Sequence, residues 1–211
     1  MIETFMSVVG GVGTSTLARG FAREKGGLLI EASNCMRMQD LLLEESPDHI
    51  YDYWDFLTGE DIENVLISGE AYDLIQGSVF HDLEEAEEDA LKNALESLDY
   101  ENIAVDLSRF REEDLVQWGN LSDHIYLIGD GSASSLRAME RVRYVFRLRG
   151  LQPEITFILN RIKDEKIIEW DEDLGEATLI REGQDPVRTL LQGDDNMDEK
   201  KSFWSFLKRR G

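Results

Sequence analysis

The sequence predicts an α/β fold, a mostly parallel sheet with helices on both faces. Three observations lead there. Short runs that are apolar along their whole length recur through the chain, as in strands buried on both sides rather than one. Segments with apolar residues at three- and four-residue steps, the period of a helix, lie between them. The first apolar run also ends on glycines and passes at once into a helical segment, the opening of a βα unit.

Taken in order, Ile2 to Val9 is the first strand, and residues 14 to 24 form a helix with Leu17, Ala18, Phe21 and Ala22 on one face. Leu28-Leu29-Ile30 is the second strand, and Ile103-Ala104-Val105 ending at Asp106 is another. Ile125-Tyr126-Leu127-Ile128 and Ile155-Thr156-Phe157-Ile158-Leu159 follow, and Ala177 to Ile180 is a candidate last strand. Residues 132 to 149 place Leu136, Met139, Val142, Val145 and Phe146 on one stripe, a long amphipathic helix. The acidic block Asp82 to Asp89 opens a helix through Leu91, Leu95 and Leu98, where negative charge complements the helix dipole. Residues 45 to 80 give no clear period. Within them Tyr51, Tyr53, Trp54 and Phe56 either pack under a loop or form a patch for a partner.

With 211 residues the chain suits one domain, placed at 1–192, followed by an acidic linker at 193–199 and a distinct tail at 200–211. Forty-four acidic residues oppose 22 basic ones, for a formal charge of −22. Such a body repels phosphate backbones, so no nucleic-acid partner is expected. One cysteine, Cys35, forms no internal disulfide, and no secretory signal or apolar span of membrane length is present. These features read as a soluble cytoplasmic protein. His49, His81 and His124 lack metal-ligand spacing.

In open α/β sheets ligands gather where strand ends meet helix starts. The first such junction is Gly10-Gly11-Val12-Gly13-Thr14-Ser15-Thr16. Glycines let backbone N–H groups turn inward around an anion, and the helix dipole adds positive potential. A ligand-free turn is the alternative.

Val8-Val9-Gly10-Gly11-Val12-Gly13-Thr14-Ser15-Thr16-Leu17-Ala18 resembles the deviant Walker A motif, KGGVGKTT, of the ParA/MinD superfamily of P-loop proteins. Its flavour is similar to the subgroup of pilus-assembly proteins called TadZ or CpaE. Tyr100-Glu101-Asn102-Ile103-Ala104-Val105-Asp106 resembles the Walker B strand, and Phe157-Ile158-Leu159-Asn160-Arg161 the family's strand ending in Asn-Arg. The segment from Ser122-Asp123-His124-Ile125 through Ser134-Ser135-Leu136-Arg137 resembles the strand and helix between them. The resemblance implies a P-loop NTPase fold of the MinD type and ATP or ADP with Mg²⁺ as cofactor. It assigns Gly10 to Thr16 to the phosphates, Ser15 and Asp106 to Mg²⁺, Asp106 to catalysis, and Asn160 to the adenine. It also implies a homodimer.

The same comparison exposes three substitutions. Thr14 stands at the Walker A lysine, Val9 at the family's signature lysine, and Ser33, in Glu31-Ala32-Ser33, at the second acid of an Asp-x-Asp pair that positions water. Phosphoryl transfer depends on cations at the transferred group and on a positioned nucleophile. The expectation is therefore nucleotide binding with little or no hydrolysis.

The tail carries Lys200, Lys201, Lys208, Arg209 and Arg210 and no acid, so it is +5 against −27 for the rest. At the helical period Phe203, Trp204, Phe206 and Leu207 span an arc of about 160°, with Lys208 and Arg209 outside it. That pattern suits the headgroup layer of an anionic membrane, and it resembles the C-terminal membrane-targeting helix of MinD. A helix docked on protein is the alternative. The expected function is a localisation scaffold at the inner face of the cell membrane, serving protein partners of an assembly such as pilus or secretion machinery. The alternatives are an active nucleotide-switch ATPase cycling on the membrane and, against the charge, a partition ATPase.

Overall fold

The structure, a computed structural model, describes residues 1–32, 39–43, 49–78, 89–108, 110–162 and 175–192. Among these the chain runs β1 (Ile2–Ser7), α1 (Thr14–Lys25), β2 (Leu28–Glu31), α2 (Gln39–Leu42), α3 (Tyr53–Thr58), α4 (Ile62–Val65), β3 (Asp73–Ile75), α5 (Ala90–Glu96), β4 (Ile103–Leu107), α6 (Glu112–Leu121), β5 (His124–Gly129), α7 (Ala133–Leu148), β6 (Glu154–Ile162), β7 (Ala177–Arg181) and α8 (Pro186–Gln192). The strands form one sheet in the order β3-β2-β4-β1-β5-β6-β7, and every neighbouring pair is parallel.

The continuous apolar runs divide between two faces, as the two-residue strand period requires. Leu28, Ile30, Ile103, Val105, Leu127, Phe157 and Leu159 point into a core closed by α3, α5, α6 and α7, where Trp118 and Phe146 are buried. Leu29, Ala104, Ile128 and Ile158 point the other way, onto α1 with partial cover from α8. The fold is the α/β, P-loop type that the sequence predicts.

Local departures from the sequence reading have identifiable causes. β1 stops at Ser7, so Val8 and Val9 belong to the turn, not the strand. The described part of residues 45 to 80 contains three short elements, none long enough to display a period. Of these, α3 is specified by chemistry rather than pattern: the Asp52 side chain accepts from Trp54 N at 2.8 Å, and the Asp55 side chain accepts from Asp52 N at 2.9 Å. This reciprocal capping fixes the first turn. Tyr53 and Phe56 are buried in the main core with Tyr51 packed against it, so these three are core packing, while Trp54 is half-buried. His124 is half-buried and hydrogen-bonds Thr156 Oγ1 at 2.9 Å. Leu91 and Leu95 of α5 are buried as expected. Residues 82–88 of the acidic block, Ser33, Cys35, His81, the linker and the tail lie outside the described residues. Among the described residues no helix is long and apolar enough to cross a membrane.

Candidate functional site at the glycine loop

β1 and β4 lie side by side at the middle of the sheet, and the helices that follow them, α1 and α6, cover opposite faces. The crevice at their C-terminal ends is where such sheets bind ligands. Ser7 Oγ donates to Ser108 O at 2.7 Å and ties the two strand ends together.

Residues 8–13 turn from β1 into α1 through two left-handed glycines, Gly11 at φ 77° and Gly13 at φ 87°. A Cβ at either would meet the steric penalty of that region. Gly13 caps α1 without any side-chain hydrogen bond, and the first turn of α1 carries no acid. The first N–H groups of this helix therefore face the loop unneutralised, with the positive end of the dipole behind them.

The loop is braced from β6. The four residues of β6 from Leu159 to Ile162 are matched by three on β7 from Leu179 to Arg181, a one-residue bulge in the ladder. Such a bulge re-aims side chains, and here it turns Asn160 and Arg161 onto the loop. Arg161 sits at φ 58°, the one non-glycine residue in the left-handed region among those described. Asn160 is buried, and its Nδ2 donates to Val12 O at 2.8 Å while its Oδ1 accepts from Arg161 N at 2.9 Å. Arg161 Nη1 donates to Gly11 O at 2.6 Å. The same Asn160 Nδ2 is 3.0 Å from the Cβ that Gly13 lacks. Asn160 thus spends its amide on the loop backbone, and Arg161 sets a full positive charge against the loop.

On the other side, Thr14 and Asp106 are buried, Ser15 is half-buried and Thr16 is exposed. Thr14 Oγ1 and Asp106 Oδ1 have no hydrogen-bond partner. Burial raises the Asp106 pKa, and hydrogen bonding from Ser15, Gln39 and Ser108 works against that rise. Gln39, fully buried at the start of α2, donates from Nε2 to Asp106 Oδ2 at 2.8 Å and to Ser15 O at 3.1 Å. Glu31, buried at the end of β2, accepts from Gly77 N at 3.1 Å. Val9 lines a cavity of about 410 Å³ between α6 and α7, shared with Phe110, Leu115 and Val142.

The loop suits the phosphates of a nucleotide by type: an acid-free helix start follows Gly13, and Arg161 lies on Gly11 O. For the Mg²⁺ the fold implies, Ser15 and Asp106 would supply oxygens, and Asp106 Oδ1 is buried with no hydrogen-bond partner. The other carboxylate oxygen, Oδ2, receives the Gln39 amide. Gln39 and Arg161 escaped the sequence reading. Nothing in the spacing around Gln39 marks it, whereas Arg161 was visible inside the Asn-Arg strand ending.

No protein-family model matches the sequence, and no curated protein matches it. Solved structures do. The chain is similar to a plasmid partition protein from Borrelia burgdorferi B31 bound to AMPPNP, at TM-score 0.70 and 20% identity, over 98% of this chain and 96% of that one. It is similar to the MinD protein of Pyrococcus horikoshii OT3 complexed with Mg-ADP, at TM-score 0.64 and 22% identity, over 99% and 94% of the two chains. It also matches the MinC:MinD cell division complex of Aquifex aeolicus at TM-score 0.66 and 21% identity, over 99% and 94%. At these identities the likeness is one of architecture, and it spans nearly the whole chain: the protein has the P-loop fold of the ParA and MinD ATPases.

Proposed function

We propose that this protein is a nucleotide-binding localisation scaffold with little or no ATPase activity, held at an anionic membrane by its C-terminal residues. One observation carries the reading. The loop is built to hold phosphate through its backbone, with Gly13 at the start of α1 and Arg161 braced against it, yet it lacks the cations that turnover needs. Thr14 and Val9 replace the two lysines. Each transition-state cation contributes several orders of magnitude to phosphoryl transfer. Gly10 to Thr16 hold the phosphates and Asn160 borders the nucleotide, while Asp106 remains the carboxylate nearest the site.

The relatives in fold include partition and division-site proteins, one in complex with MinC. A dimer that recruits protein partners at the cytoplasmic face of the membrane, for an assembly such as a pilus or secretion machine, follows the same pattern. A switch ATPase is the second reading, and the buried Asp106 beside Ser15 favours it. Calorimetry with ATP and a steady-state hydrolysis assay separate the two. The scaffold reading expects saturable ATP binding and background turnover, with or without lipid. Turnover on the order of 1 per minute or faster, the range of a GTPase switch with its arginine in place, and lost in Asp106→Ala, overturns it.

A further inference from the structure

In a chain with 44 acidic and 22 basic residues, α7 and its C-cap run against the trend. Positions 133–149 hold Arg137, Arg141, Arg143, Arg147 and Arg149 against a single acid, Glu140. Arg137, Arg141, Tyr144 and Leu148 recur at four-, three- and four-residue steps, so they share one stripe of the helix. All four are exposed, Tyr144 at 60% and Leu148 at 66%. Arg149 pairs with Glu112 at 3.3 Å, whereas Arg137, Arg141 and Arg147 make no ion pair among the described residues. Leu136, Met139, Val142 and Phe146 on the opposite side are buried and anchor α7 to the core, which holds the stripe in place.

Arg141 also borders the cavity of about 410 Å³ between α6 and α7, whose apolar walls include Val9, Phe110, Leu115, Ala138 and Val142. From Arg137 to Leu148 the stripe extends about 16 Å at the helical rise, further than a small molecule in the cavity would reach. A peptide segment can use both features at once. Arginine forks take carboxylates in paired hydrogen bonds, and an apolar side chain enclosed in a pocket is the usual anchor of such docking. Glu112 on the cavity's rim is already offset by Arg149. A nucleic-acid duplex has no apolar group to fill the cavity, and the exposed Glu113 and Glu140 would oppose its phosphates. A bilayer surface cannot enter a concave site.

We infer that α7 and the adjoining cavity dock an acidic peptide segment of a partner protein, with its carboxylates on Arg137 and Arg141 and one aromatic or leucine side chain in the cavity. This deepens the scaffold reading by giving its partner a chemistry, and it does not require the loop to hold nucleotide. A random peptide display library selected on the full chain supplies the probe, and fluorescence anisotropy of the labelled winners reads affinity. The winners should combine Asp or Glu with an aromatic or leucine residue. Arg137→Glu with Arg141→Glu should weaken them by about tenfold or more. Tyr144→Ala, or Ala138→Leu, which fills the cavity from its half-buried wall, should weaken them by roughly tenfold. Melting temperatures should stay nearly unchanged in the exposed-site variants, so lost binding is not lost folding. Winners without acids, or winners that bind the double variant as tightly as the wild type, overturn the inference. A labelled DNA duplex that binds the wild type and not the double variant overturns it in favour of nucleic acid. Anionic vesicles that sediment Phe206→Glu, and no longer do so once the double change is added, overturn it in favour of lipid. If calorimetry finds no ATP binding, the nucleotide reading fails and the peptide result still stands; peptides that ignore the stripe strike the docking surface alone.

Discussion

Arg161 holds a left-handed backbone and an exposed guanidinium against Gly11, an arrangement that serves charge rather than packing. Arg161→Gln should weaken ATP binding by about tenfold, the value of one charged hydrogen bond, and leave the melting temperature nearly unchanged. Thr14→Lys should tighten it by about the same factor by restoring a phosphate contact; calorimetry reads both. A different residue supplies a pH signature. Glu3 is buried in β1, which raises its pKa, against the opposing hydrogen bond from Tyr126 at 3.2 Å and the charge of Lys25. A carboxyl with a raised folded pKa binds its proton more tightly when folded, so stability is lost as pH rises through that value. Glu3→Gln removes the loss. Its melting temperature should exceed the wild type's at neutral pH, and the two should converge below pH ~4, under the ordinary glutamate value.

The elements differ in how plainly the sequence announces them. β2, β4, β5 and the stripe of α7 were legible because buried parallel strands are apolar throughout and a long helix repeats its period several times. α3, α4 and β3 were not, since six, four and three residues hold too little pattern. The glycine loop was legible through its composition, whereas its bracing was not. Asn160 and Arg161 reach it across 148 and 150 residues, through a bulge that no local pattern encodes. Gly13→Ala tests that bracing. The left-handed backbone costs about 1–2 kcal/mol with a Cβ, and Asn160 must give way as well. The variant should lose stability and ATP binding together. On the opposite face Trp118→Ala, at a fully buried position in α6, should cost about 3–5 kcal/mol in denaturant melts. ATP affinity per folded molecule should not change.

Across the whole molecule, charge organises the expected behaviour. On the proposed reading, a −27 body joined to a +5 tail should be drawn to anionic lipid through the tail alone. Each Lys or Arg contributes about 1 kcal/mol near such a surface, and the four apolar side chains add partial burial. One tail is then a weak anchor, and two held together reinforce each other. Full-length protein should sediment with anionic liposomes and a chain ending at Asp198 should not. Phe203→Glu or Phe206→Glu should abolish the binding, and added salt should weaken it. Equal sedimentation of both chains would favour a tail that docks on protein.

The account turns on a loop that binds a nucleotide and does not consume it. A single-turnover experiment measures this directly: labelled ATP is mixed with excess protein, and bound ATP and released phosphate are followed together over hours. The account predicts that ATP becomes bound and stays intact, with phosphate release no faster than in buffer and no difference in Asp106→Ala. Phosphate released from the bound pool faster than in buffer, and lost in Asp106→Ala, would contradict it.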